Sequence, residues 1–79
     1  MDDRSPAEIQ RMASIYQKCG KLELAEQLYW TLFSTSVENS HKAVALVRLG
    51  ELCSEQGRPA EGSVYFKRAI ELWGRGRAS

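Results

Sequence analysis

The chain predicts an all-α fold: two helix-turn-helix repeats, four antiparallel helices in a short α-solenoid. Three observations carry this. Apolar residues recur at spacings of three and four in four successive segments, the signature of helix faces. The segments of each pair are joined by a short stretch holding Gly20 or Gly57, suited to stopping a helix and turning the chain. The two pairs superimpose at a shift of 37 residues, which carries Gly20 onto Gly57.

The first helix opens with Ser5 as cap, Pro6 in the first helical position and Glu8 three residues after Ser5. Ile9, Met12, Ala13 and Tyr16 form its apolar face, and Cys19-Gly20 ends it. The second is expected from Leu22 to Ser36, with Ala25, Leu28, Tyr29, Leu32 and Phe33 on its stripe. The short connection makes the two antiparallel. Val37 to Ser40 forms a break. A third helix is expected from His41 to Glu55. Its apolar residues wrap more than one face, so it should be the most enclosed. After the stop at Gln56-Gly57-Arg58-Pro59, a fourth runs from Pro59 to Trp73. The expected organisation is a flexible N-terminus over 1–5, a repeat domain over 6–73 divided at 39/40, and a flexible tail over 74–79.

At the 37-residue shift Ile9 falls on Leu46, Met12 on Leu49, Ala13 on Gly50, Ala25 on Gly62, Tyr29 on Phe66 and Phe33 on Ile70. Small residues at Ala13, Gly50, Ala25 and Gly62 let helices approach closely, and the large rings at Tyr29 and Phe66 fill the space beside them. Glycine inside a helix costs about 1 kcal/mol relative to alanine. Gly62 is therefore expected where contact leaves no room for a methyl group.

At these positions the chain resembles the tetratricopeptide repeat family. The second copy reads Leu46, Leu49-Gly50, Cys53, Gly57, Gly62, Phe66, Ala69, and closes on Tyr65 to Leu72 in the family's manner. The first reads Ile9, Met12-Ala13, Tyr16, Gly20, Ala25, Tyr29, Leu32. Leu32, Cys53 and Val37 depart from the usual alanine, tyrosine and proline. The spacing of 37 exceeds the family's 34, which implies an extra helical turn or a longer loop near Thr35 to Ser40. Residues Tyr16 to Leu28 also look similar to the pentatricopeptide family, whose many repeats read single-stranded RNA. An RNA-binding helical repeat of that type is the alternative reading, although two repeats would read almost nothing.

Composition narrows the function. A formal net charge of +1 creates no large field toward nucleic acid or anionic membrane. No apolar run reaches the roughly 20 residues of a membrane span, and Met1-Asp2-Asp3-Arg4 does not open a signal sequence. A cytoplasmic location is the resulting expectation. Cys19 and Cys53, 34 residues apart, have neither metal nor redox spacing and read as reduced small hydrophobes. His41 reads as a solvated residue at a helix start. Asp2 and Asp3 read as a loose acidic end, and Arg75 and Arg77 as solvated. No catalytic constellation and no cofactor or metal site is expected, so the chain reads as a non-enzyme.

The resemblance implies a non-catalytic protein-interaction module: an adaptor, scaffold or small chaperone holding a peptide or helix of a partner. Its groove would be lined by Gln10, Ser14 and Gln17 of the first copy and by Val44, Val47, Arg48, Glu51 and Ser54 of the second. Some family members clamp a C-terminal carboxylate with lysine and asparagine at places held here by Gln10 and Ser14, which argues against that ligand. Repeat arrays normally hide their last apolar face under a polar capping helix. Without one, Tyr65, Ile70, Leu72 and Trp73 are expected at an exposed end, with Trp30 as a secondary candidate. Self-association as a homodimer follows as an expectation.

Overall fold

The computed structural model describes residues 4–77, with side chains described through Gly74. Four helices follow in order: α1 (Pro6–Lys18), α2 (Leu22–Thr35), α3 (Asn39–Glu55) and α4 (Pro59–Arg77). No strand occurs among the described residues. α1 packs on α2, α2 on α3 and α3 on α4. The result is a slab of 39 × 33 × 17 Å.

Local chemistry sets the boundaries. Ser5 is extended, and its hydroxyl accepts the Glu8 N–H at 3.3 Å, capping α1. The two hairpin turns are copies of each other. In the first, Gly20 N–H donates to the Gln17 carbonyl at 3.1 Å and Lys21 N–H to Tyr16 at 2.9 Å. In the second, Gly57 N–H donates to Ser54 at 3.1 Å and Arg58 N–H to Cys53 at 2.7 Å. This pairing closes a helix over a left-handed residue, and both glycines have φ of 79°.

Two boundaries differ from the sequence-based expectation. α3 begins at Asn39, four residues before Ala43, the counterpart of Pro6. The excess spacing is thus one added turn at the start of α3, and the break shortens to Ser36, Val37 and Glu38. At the other end α4 continues to Arg77, so residues 74–77 of the expected tail are helical. Each added helical residue gains a backbone hydrogen bond once a helix is nucleated, and nothing reverses the chain there as it does after Thr35. Met1, Asp2, Asp3, Ala78 and Ser79 lie outside the described residues, as do the side chains of Arg75 and Arg77.

The core is one cluster running through both hairpins. Ile9, Ala13, Ala25, Tyr29 and Leu32 come from the first; Ala43, Ala45, Leu46, Leu49, Leu52 and Ala69 come from the second. α3 supplies most of the second group because it is flanked by α2 and α4. α3 and α4 approach each other closely. A Cβ on Gly62 would stand 2.7 Å from the Gly50 carbonyl oxygen, and one on Gly50 would stand 2.8 Å from the Phe66 ring. Two methyl-free positions therefore fix how closely these helices cross.

Candidate functional site

Two adjoining depressions lie on the faces of α1 and α3. The first, of about 370 Å³, is lined by Ala7, Gln10, Arg11, Ser14, Tyr29, His41 and Arg48. The second, of about 270 Å³, is a trough between α3 and α4 lined by Ala43, Val44, Val47, Arg48, Ala69, Ile70 and Trp73. Arg48 borders both, so the first, more polar hollow passes into an apolar one across a single side chain.

Helical period explains the arrangement. Residues of α1 at spacings of three and four, from Ala7 through Gln10 and Arg11 to Ser14, line the groove, and α3 presents Arg48 and His41 opposite them. Tyr29 reaches the floor from α2. Its ring is buried, and burial pushes its phenol above the usual range, against the opposing pull of Arg48. Arg48 donates to Glu51 at 2.8 Å, and that hydrogen bond raises its pKa. Both partners are substantially exposed, so the pair adds little stability. Gln17 donates to Glu55 at 3.0 Å, tying α1 to α3 toward their C-terminal ends.

The expected groove residues are thus only partly gathered. Gln10, Ser14 and Arg48 share the first depression, Val44, Val47 and Arg48 the trough, and Glu51 pairs with Arg48. Gln17 is engaged with Glu55. Ser54 stands apart, its hydroxyl 3.2 Å from where a Gly62 Cβ would be, beside α4.

The expected self-association set divides more sharply. Ile70 and Trp73 are exposed in the trough. Tyr65 and Leu72 are not left on an open face: both are partly buried against the core. Tyr65 meets Trp30 edge to face at 5.8 Å, and Trp30 meets Phe33 in the same way at 5.8 Å. Trp30 and Tyr65 therefore join α2 to α4, helped by Arg58, which reaches Glu26 at 3.5 Å. The sequence pattern missed this because an aromatic off the main stripe can serve a second helix neighbour. It also missed Tyr29 and His41 as groove residues. Tyr29 occupies a core repeat position, and His41 lies on the added turn of α3.

Among the described residues no group of three histidine, cysteine, aspartate or glutamate side chains could hold a metal ion. No described helix is long and apolar enough to cross a membrane. Cys19 is exposed; Cys53 is buried, and burial pushes its thiol pKa up.

Paired antiparallel helices, glycine-terminated turns and a shared face on the first helix of each pair define an all-α helical-repeat architecture. Residues 43–72 match the family model of the tetratricopeptide repeat, so the second hairpin is similar to a repeat of that family. The first hairpin lies outside that match and shares with the second the turn hydrogen bonds at the 37-residue shift. No curated protein and no solved structure matches the chain.

Proposed function

We propose that this chain is a non-catalytic adaptor or scaffold module that holds a peptide or helix of a partner protein along α1 and α3, and that it self-associates through the α3–α4 end. The observation that carries this reading is the continuity of the two depressions through Arg48. The polar part offers Arg11, Arg48 and the Gln10 amide; the apolar part offers Val44 and Val47. An amphipathic segment with a polar end fits that sequence of surfaces.

Val47→Asp places a charge in the apolar part. Glu51→Arg removes the partner of Arg48 and adds a positive charge. Both lie on the outer side of α3, and circular dichroism should stay at the parental value. Affinity capture with parent and variants from cells expressing the protein is the test. Loss of the same partner from both variants supports the groove; equal recovery by both moves the site elsewhere.

A further inference from the structure

We infer that the trough between α3 and α4 is a seat for α1 of a second copy, so that copies stack head to tail. This rests on the proposed self-association and adds its geometry. The warrant is an interface the chain already makes within itself. Where α3 packs on α2, Leu32 is fully buried. Phe33 beside it is partly buried, with Lys42 Nζ of α3 5.8 Å from its ring centroid. The 37-residue shift carries Leu32 and Phe33 to Ala69 and Ile70. Both line the trough, and Ile70 is 72% exposed because no described helix lies where α3 lies on the first hairpin.

The complementary half sits at the opposite end. Leu52 is two residues beyond Gly50, about 200° around α3. Gly50 faces α4, so Leu52 is turned toward the first hairpin, and it is fully buried. The same shift carries Leu52 to Ile15, which is 55% exposed on α1. One end of the chain thus carries the receiving half, and the other the inserting half, of an interface like the one between its own hairpins. A two-fold α4–α4 contact would leave Ile15 uncovered. A head-to-tail contact covers Ile15 and Ile70 together and leaves a fresh seat on each added copy, so it does not close at two.

Sedimentation velocity from micromolar to submillimolar concentration tests this with the full chain, Ile15→Asp, Ile70→Asp and their equimolar mixture. Both side chains are exposed, and circular dichroism checks that each variant folds. The parent should grow past a dimer as concentration rises. Each variant alone should associate at least about tenfold more weakly, because a buried aspartate would oppose the contact. The mixture should recover a one-to-one complex and stop there, since one copy keeps a working trough and the other a working α1. A parent that stops at dimer, with Ile15→Asp dimerising equally well, overturns the head-to-tail geometry while leaving self-association through α4 intact. A parent that stays monomeric throughout overturns both and leaves the trough, with Val44 and Val47, free for a partner peptide.

Discussion

The first hairpin places Ala13 and Ala25, both fully buried, where the second places Gly50 and Gly62. The turns that follow α1 and α3 are nearly superimposable, so the frame is shared. The difference lies at the crossing. The first hairpin accommodates a methyl group at both positions, whereas backbone and the Phe66 ring fill that place in the second. The second hairpin has the tighter geometric demand, and residues 43–72 are also the segment that matches the repeat family. A repeat frame can therefore persist while the size of its central contact drifts, provided both partners change together.

Substitutions at the crossing should have the largest effect. Gly50→Leu would drive a side chain into Phe66 and the Gly62 carbonyl, costing roughly 1–3 kcal/mol or more. Ala25→Leu should overpack the first hairpin by an amount in the same range. The sharper pair is Gly62→Ala against Ala25→Gly. Gly62→Ala gains about 1 kcal/mol of helix propensity, yet its methyl would meet the Gly50 oxygen at 2.7 Å. It should lower the melting temperature despite that gain. Ala25→Gly should cost about 1 kcal/mol from propensity and about 0.8 kcal/mol more from the lost buried methyl. A Gly62→Ala protein that melts above the parent would break the distinction between the crossings.

The turns should respond alike. Gly20 and Gly57 share a φ of 79°, and neither has an atom within 4 Å of its would-be Cβ. Alanine at either therefore costs only the left-handed strain, about 1–2 kcal/mol. Unequal losses in urea melts would show that the turns are not equivalent.

The buried side chains of the second hairpin give a pH signature. Burial raises the pKa of Cys53 and Tyr65, and of Tyr29 in the first hairpin, above ordinary values of 9.0 and 10.0. The folded state holds those protons more tightly than the unfolded chain. Their contribution to stability is complete below pH 9 and is lost as pH rises through the folded values. Melting temperature should fall between pH 9 and 11, and Cys53→Ser should remove part of that slope. In the native protein an alkylating reagent should label Cys19 first and Cys53 only on unfolding.

The smallest effect is expected between the hairpins. The Ser36 hydroxyl is buried without a hydrogen-bond partner. Ser36→Ala should leave stability unchanged or raise it slightly, because an unpaired buried hydroxyl is costly. A loss of more than about 1 kcal/mol would mean that the hydroxyl is satisfied in solution.

The fold was legible because its signals are local and repeated. Ser5, Gly20, Gly57 and the three-four spacing each act within a turn or two of chain. The site was less legible because it depends on how hairpins meet. Ile70 and Trp73 were read as exposed, and they are. Tyr65 and Leu72 belong to the same helix, but half a turn of rotation puts them against the core. Val44 and Ile70 were assigned to separate surfaces, yet the α3–α4 crossing brings them into one trough. Sequence spacing fixes the face of a helix but not which second helix that face meets.

The enclosed position of α3 has a consequence for exchange with solvent. α1 is held chiefly by α2, and α4 chiefly by α3, so either outer helix can open by breaking one main interface. α3 has interfaces on both sides, and its amide protons reach water only through an opening that disrupts both hairpins. Deuterium uptake should therefore be fastest in α1 and at the far end of α4. It should be slowest along Leu46 to Cys53, at a rate that tracks global unfolding, so the segment that meets both neighbours is the last of the chain to let its protons go.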